Sequence, residues 1–138
     1  MFERCLYFNS NTLSRLTTKV WKKAYSKLGL SPAHAYLLRL VIEQPGLVQR
    51  DIALELNLEK STLTRFIDKL VEEGYLKRTS PESGNHREQA IFPTQKTQDI
   101  ADSLQSIGDD LYQKMQQAIG EQELRDLILN LRKINKLL

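Results

Sequence analysis

The chain is predicted to be mainly helical, with one small β-hairpin set between helices. Three observations predict it. Apolar residues recur at helical spacing towards both ends of the chain. In the middle, a short helix, an asparagine turn and a strongly amphipathic helix follow one another. Directly after them, two short strand-like runs flank a loop containing Pro81, Gly84 and Asn85. Helix, tight turn, helix and hairpin in that order form a winged helix-turn-helix, here between N- and C-terminal helices.

Each element has its own justification. From about Leu6 to Leu28, Leu13, Leu16, Val20, Ala24 and Leu28 share helical spacing, and Gly29 supplies a stop. Ser31-Pro32 reads as an N-cap followed by a first-turn proline, whose missing N–H costs nothing there. The helix it opens carries Tyr36, Leu37, Leu40 and Val41 and ends before Gln44-Pro45-Gly46. Gln49 to Leu56 is a short helix with Ile52, Ala53 and Leu56 on one face. Asn57 follows, a residue that tolerates the left-handed conformation of a tight turn, and Leu58 can plug that turn. The next helix runs from about Lys60 to Glu73, with Leu63, Phe66, Ile67, Leu70 and Val71 as a complete apolar stripe and Gly74 as its stop. Strands are expected over Tyr75–Thr79 and Arg87–Phe92, joined by the polar loop Ser80–His86. The last zone is helical again, with one stripe at Ile100, Leu104, Ile107, Leu111 and Met115. A second stripe follows Gly120, at Leu124, Leu127, Ile128, Leu131, Ile134 and Leu138.

These terminal stripes exceed what a core of only about 60 residues can cover, so they are expected to be shared with a second copy of the chain. The expected division is residues 1–30 as an N-terminal dimerisation helix, 31–97 as the winged helix-turn-helix, and 98–138 as C-terminal dimerisation helices.

Composition narrows the function. No apolar run approaches the roughly 20 residues that span a bilayer, and Met1-Phe2-Glu3-Arg4-Cys5 lacks a signal-peptide layout, so a cytoplasmic protein is expected. Cys5 is the only cysteine, which excludes an intrachain disulfide and a cysteine-cluster zinc site. His34 and His86 lie far apart, and no phosphate loop or nucleophile elbow is present. No enzymatic activity, metal or cofactor is expected. The net charge of +3 is unevenly spread: residues 1–39 carry +6 and the remainder −3. A basic segment of this kind suits nucleic acid, or equally a first helix packed beside acidic partners.

The second helix of a helix-turn-helix presents its N-terminal residues to base edges in the major groove. Here the face opposite the apolar stripe carries Ser61, Thr62, Arg65 and Lys69, with Thr64 on its flank. Arginine pairs bidentately with guanine, hydroxyls serve bases or phosphates, and a threonine methyl can meet a thymine methyl. Lys69, one turn later, suits a phosphate. In the hairpin, Lys77, Arg78, His86 and Arg87 cluster on or beside the polar loop, where a long basic side chain can reach a minor groove.

The stretch Leu30-Ser31-Pro32 through Leu56, and then Lys60-Ser61-Thr62-Leu63-Thr64-Arg65-Phe66-Ile67-Asp68-Lys69-Leu70-Val71-Glu72-Glu73-Gly74-Tyr75-Leu76-Lys77-Arg78, resembles the core of a MarR-type regulator. The resemblance covers about residues 30 to 97. It implies a homodimer that represses nearby genes and is released by a small phenolic or other aromatic ligand. Such an effector would sit at the junction holding Trp21, Tyr25, His34, Tyr36 and Arg39, although aromatics at helical spacing are more often core. The chain departs from the family pattern at several positions. The wing's Asp-x-Arg reads Asn85-His86-Arg87, and Leu-Thr-x-x-Gly reads Pro93-Thr94-Gln95-Lys96-Thr97. Val48 stands at a usual threonine N-cap, and His34 replaces a common glutamine.

One branch of the family senses peroxides through an N-terminal cysteine, which makes Cys5 a redox candidate. A lone cysteine is more often a small buried hydrophobe. The resulting expectation is a sequence-specific transcription regulator that binds duplex DNA as a homodimer, with no membrane partner. The alternatives are a redox-sensing repressor using Cys5, and a winged helix used for protein association alone.

Overall fold

Most of the expected helix boundaries have a local cause in the computed structural model, which describes residues 1–79 and 88–138. Helix α1 spans Leu6–Tyr25, tightens into one 3-10 turn at Ser26–Leu28, and stops at Gly29 with φ of 69°. Helix α2 spans Pro32–Glu43, and the hydroxyl of Ser31 accepts the His34 N–H at 3.2 Å. Helix α3 spans Gln49–Leu56 and is closed by Asn57 in the left-handed region, φ 51° and ψ 49°. Its start has no side-chain cap, because Val48 carries no acceptor.

Helix α4 spans Lys60–Glu72. It ends in a Schellman motif: the Tyr75 N–H donates to the Leu70 carbonyl at 2.8 Å, and the Gly74 N–H to that of Val71 at 3.0 Å. Gly74 makes this geometry available with φ of 84°. Leu63, Ile67 and Leu70 are fully buried, and α4 packs against α3. Ile52, Leu37, Leu38, Val41 and Ile91 complete this core.

Two expectations need correction. Tyr36 was placed on the apolar face of α2, but that face is Ala35, Leu37, Leu38 and Val41, and Tyr36 is exposed. The expected two-stranded hairpin is a three-stranded antiparallel sheet in the order β1-β3-β2. Strand β1 is Leu47–Val48, β2 is Leu76–Thr79, and β3 is Ala90–Pro93, starting later than expected from sequence. Leu47 pairs with Ile91, and Arg78 pairs with Ile91 from the other side. Gly46 turns the chain into β1 with φ of 90°, and its N–H donates to the Ile91 carbonyl at 2.8 Å.

Helix α5 (Gln95–Asp99) is separated from α6 (Ala101–Ile119) at Ile100, and Gly120 separates α6 from α7 (Glu121–Leu137). Residues 1–105 form one unit and 106–138 a second. In the first, α1 leaves Leu6, Tyr7, Phe8, Leu13 and Leu16 exposed. In the second, Leu111 and Leu124 are buried, while Leu127, Ile128 and Leu131 are exposed. Among the described residues, no helix is long and apolar enough to cross a membrane.

Candidate nucleic-acid interface

The stripe that buries Leu63, Ile67 and Leu70 necessarily turns the opposite side of α4 to solvent. Ser61, Arg65 and Lys69, spaced by four, are all exposed along that side, and Thr62 is half-buried at its edge. Among the described residues Arg65 has no ion-pair or hydrogen-bond partner, so its guanidinium keeps its full donor set.

Two other expected contact residues have internal partners. Thr64 accepts a hydrogen bond from the Gln49 side-chain amide at 2.8 Å and donates its own proton to the Lys60 carbonyl at 2.9 Å. Its hydroxyl therefore ties α4 to the start of α3, and its methyl is what it can offer outwards. Arg78, on β2, is ion-paired with Asp68 of α4 and is largely covered. This pair neutralises an acid of α4 and braces β2 against that helix. It also draws Arg78 away from the role of a free basic contact. His86 and Arg87, the other two expected hairpin contacts, lie outside the described residues.

Sequence reasoning missed Gln49, the Asp68–Arg78 pair and the exposed Arg50, which pairs with Glu88 at 2.9 Å. Each joins residues ten or more positions apart, a separation that leaves no local periodicity to read.

The five residues expected around an effector divide into two groups. Four of them meet between α1 and α2. The Trp21 indole N–H donates to the Tyr36 hydroxyl at 3.1 Å, and the Tyr25 and Tyr36 rings meet edge-on at 5.9 Å. The Arg39 guanidinium lies 5.1 Å from the Tyr36 ring centre and donates to the Tyr25 hydroxyl at 3.4 Å. Its other arm donates to Gln105 at 3.4 Å. Burial first, and then the neighbouring Tyr36, push the Tyr25 phenol up to about 12, against the pull of Arg39. Tyr25 thus stays neutral at any ordinary pH.

His34 stands apart from this cluster. It meets Phe66 of α4 edge-on, with ring centres 4.9 Å apart. Burial first, and the Lys69 ammonium second, hold its imidazole below the ordinary 6.5, opposed by Glu73. The folded chain therefore takes up this proton less readily than the unfolded chain. Its stability should be unaffected above pH 6.5 and should fall as pH drops through that value towards the lower folded one. Between about pH 7.5 and 5.5, the urea midpoint of the wild type should drop further than that of His34→Gln. An equal drop in both would show that His34 does not carry the effect.

Cys5 caps α1, its sulfur accepting the Phe8 N–H at 3.4 Å, and its side chain is exposed rather than buried. The terminal ammonium group is paired with Glu3.

Residues 28–88, which include the whole helix-turn-helix, match the profile of the MarR family. This segment is similar to the MarR family, and the chain folds as a winged helix. The HTH-type transcriptional regulator YybA of Bacillus subtilis is 29% identical over 76 residues, covering 55% of this chain and 49% of that protein. The match thus spans about half the length of this curated relative. A MarR protein from Peptoclostridium difficile superposes with a TM-score of 0.84 at 21% identity, over 97% of this chain and 87% of the other. The MepR–DNA complex of S. aureus gives a TM-score of 0.83 at 19% identity, over 97% and 98%. At these identities the superpositions establish the fold of MarR-family regulators and leave the side-chain chemistry to be argued from this chain's own residues. In this winged helix, those residues are the exposed line on α4.

Proposed function

We propose that the chain is a sequence-specific transcription regulator that binds duplex DNA as a homodimer, with α4 in the major groove. The observation that carries this reading is the exposed Ser61–Arg65–Lys69 line on a helix whose opposite face is buried. The fold of the MepR–DNA complex supports it, as does the pairing of Asp68 with Arg78, which leaves the line cationic. A protein-association module would need an apolar or acidic face where Arg65 and Lys69 stand.

The homodimer is supported by the large apolar side chains that α1 and α7 each leave exposed in a single chain. Repression follows from such a dimer occupying a promoter. Release by a small aromatic anion is supported by the Arg39 guanidinium beside the exposed Tyr36 ring, a cation and a π-face within reach of one ligand. A ligand that prefers one arrangement of the two recognition helices weakens DNA binding by its differential affinity for the two states.

Selection of duplexes from a random-sequence pool tests the reading. The expected product is a pseudo-palindrome with half-sites about 10 base pairs apart, or a multiple of that spacing. No enrichment by a folded chain would overturn the proposal.

A further inference from the structure

A helix end leaves its last carbonyls without partners inside the helix, and at α4 those carbonyls lie beside α5. The carbonyls of Glu73, Gly74 and Tyr75, which directly follow α4, are taken up by a four-residue stretch. Lys96 donates from its ammonium to the Glu73 carbonyl at 2.7 Å, with the charge 4.2 Å from the centre of the Tyr75 ring. The Thr94 hydroxyl donates to the Gly74 carbonyl. The Tyr75 carbonyl accepts from the Thr94 N–H at 3.1 Å and from the Thr97 hydroxyl at 2.6 Å. Thr97 is fully buried, whereas Lys96 is exposed.

We propose that Lys96 is a positioning residue for the recognition helix, fixing the C-terminal end of α4 against α5; this rests on the DNA-reading role proposed above. The ammonium meets the negative end of the helix dipole and the face of an aromatic ring with one side chain, so a stem that is usually mobile is held at both. The other end of α4 is held by the Gln49–Thr64 hydrogen bond. Arg65 lies between these two anchors. Its bidentate geometry tolerates little rotation of the helix, so loosening either anchor weakens base contact without removing a contacting group. Among the α5 groups at this end, Lys96 is the one that can be changed without opening the core.

The test compares Lys96→Met, which keeps the stem, with Lys96→Arg, which keeps a charged donor. Amide hydrogen exchange of the free protein is read at Gly74 and Tyr75. Affinity for a duplex selected by the wild type is read against salt concentration. Lys96→Met should exchange faster at both amides and bind about three- to tenfold more weakly with an unchanged salt slope, while Lys96→Arg stays near wild type. Unchanged exchange overturns the proposal, as does faster exchange with unchanged affinity. A slope shallower by about one ion per chain also overturns it, because Lys96 would then be a phosphate contact. The exchange measurement needs no DNA, so its failure is separate from a failure of the DNA reading.

Discussion

Leu127→Asp combined with Leu131→Asp should leave the fold of a single chain nearly intact and abolish the dimer. Both leucines lie on α7, each a little over one-third exposed in the isolated chain. If that surface faced only water, the two substitutions would be ordinary surface changes, each within about 0.5 kcal/mol. In a homodimer interface the remaining third of each leucine is covered, contributing about 0.5–1 kcal/mol, and a two-fold axis makes the two leucines four. The loss is then about 2–4 kcal/mol, roughly two decades in dissociation constant, and the cost of burying four carboxylates adds to it. Sedimentation should give twice the 16.0 kDa chain mass for the wild type and one chain mass for the variant. A wild-type monomer, or a variant that remains dimeric, would contradict this placement of the interface.

Much of the fold was legible because its causes are local. Ser31-Pro32, Asn57 and Gly74 act within a turn of where they stand, and each closes or opens the helix expected of it. The stripe from Leu63 to Val71 gave α4 nearly its observed bounds, since a helix of 13 residues repeats its signal several times. Strand β1 was not legible: two residues cannot display an alternation, and its pairing is dictated by Ile91, over forty positions away. The break at Ile100 was equally hidden, lying inside continuous helical periodicity.

At the candidate site the residue types were readable, but not all of their commitments. Arg65 and Lys69 stand exposed on α4, as a helical wheel requires. Arg78 and Thr64 looked equally available, yet Asp68 takes one and Gln49 with Lys60 takes the other. The family resemblance groups His34 with the aromatics of α1 and α2 at one effector junction. One helical face separates it from them, and that face points to Phe66.

The claim that α4 reads base sequence rests most heavily on Arg65. It is exposed, without a partner among the described residues, and on the N-terminal half of the helix, where a guanidinium can pair with guanine O6 and N7. Arg65→Ala should cost about 1–3 kcal/mol for each half-site it contacts on the matched duplex and relax preference at one symmetric base position. On a scrambled duplex, where phosphates dominate, the loss should be much smaller. The deciding measurement is the affinity of wild type and Arg65→Ala for matched and scrambled duplexes across a range of salt concentrations. The expected result is a steep salt dependence for both proteins and a matched-over-scrambled preference that collapses in the variant. An Arg65→Ala protein that keeps the wild-type preference would contradict the assignment of α4 as the recognition helix.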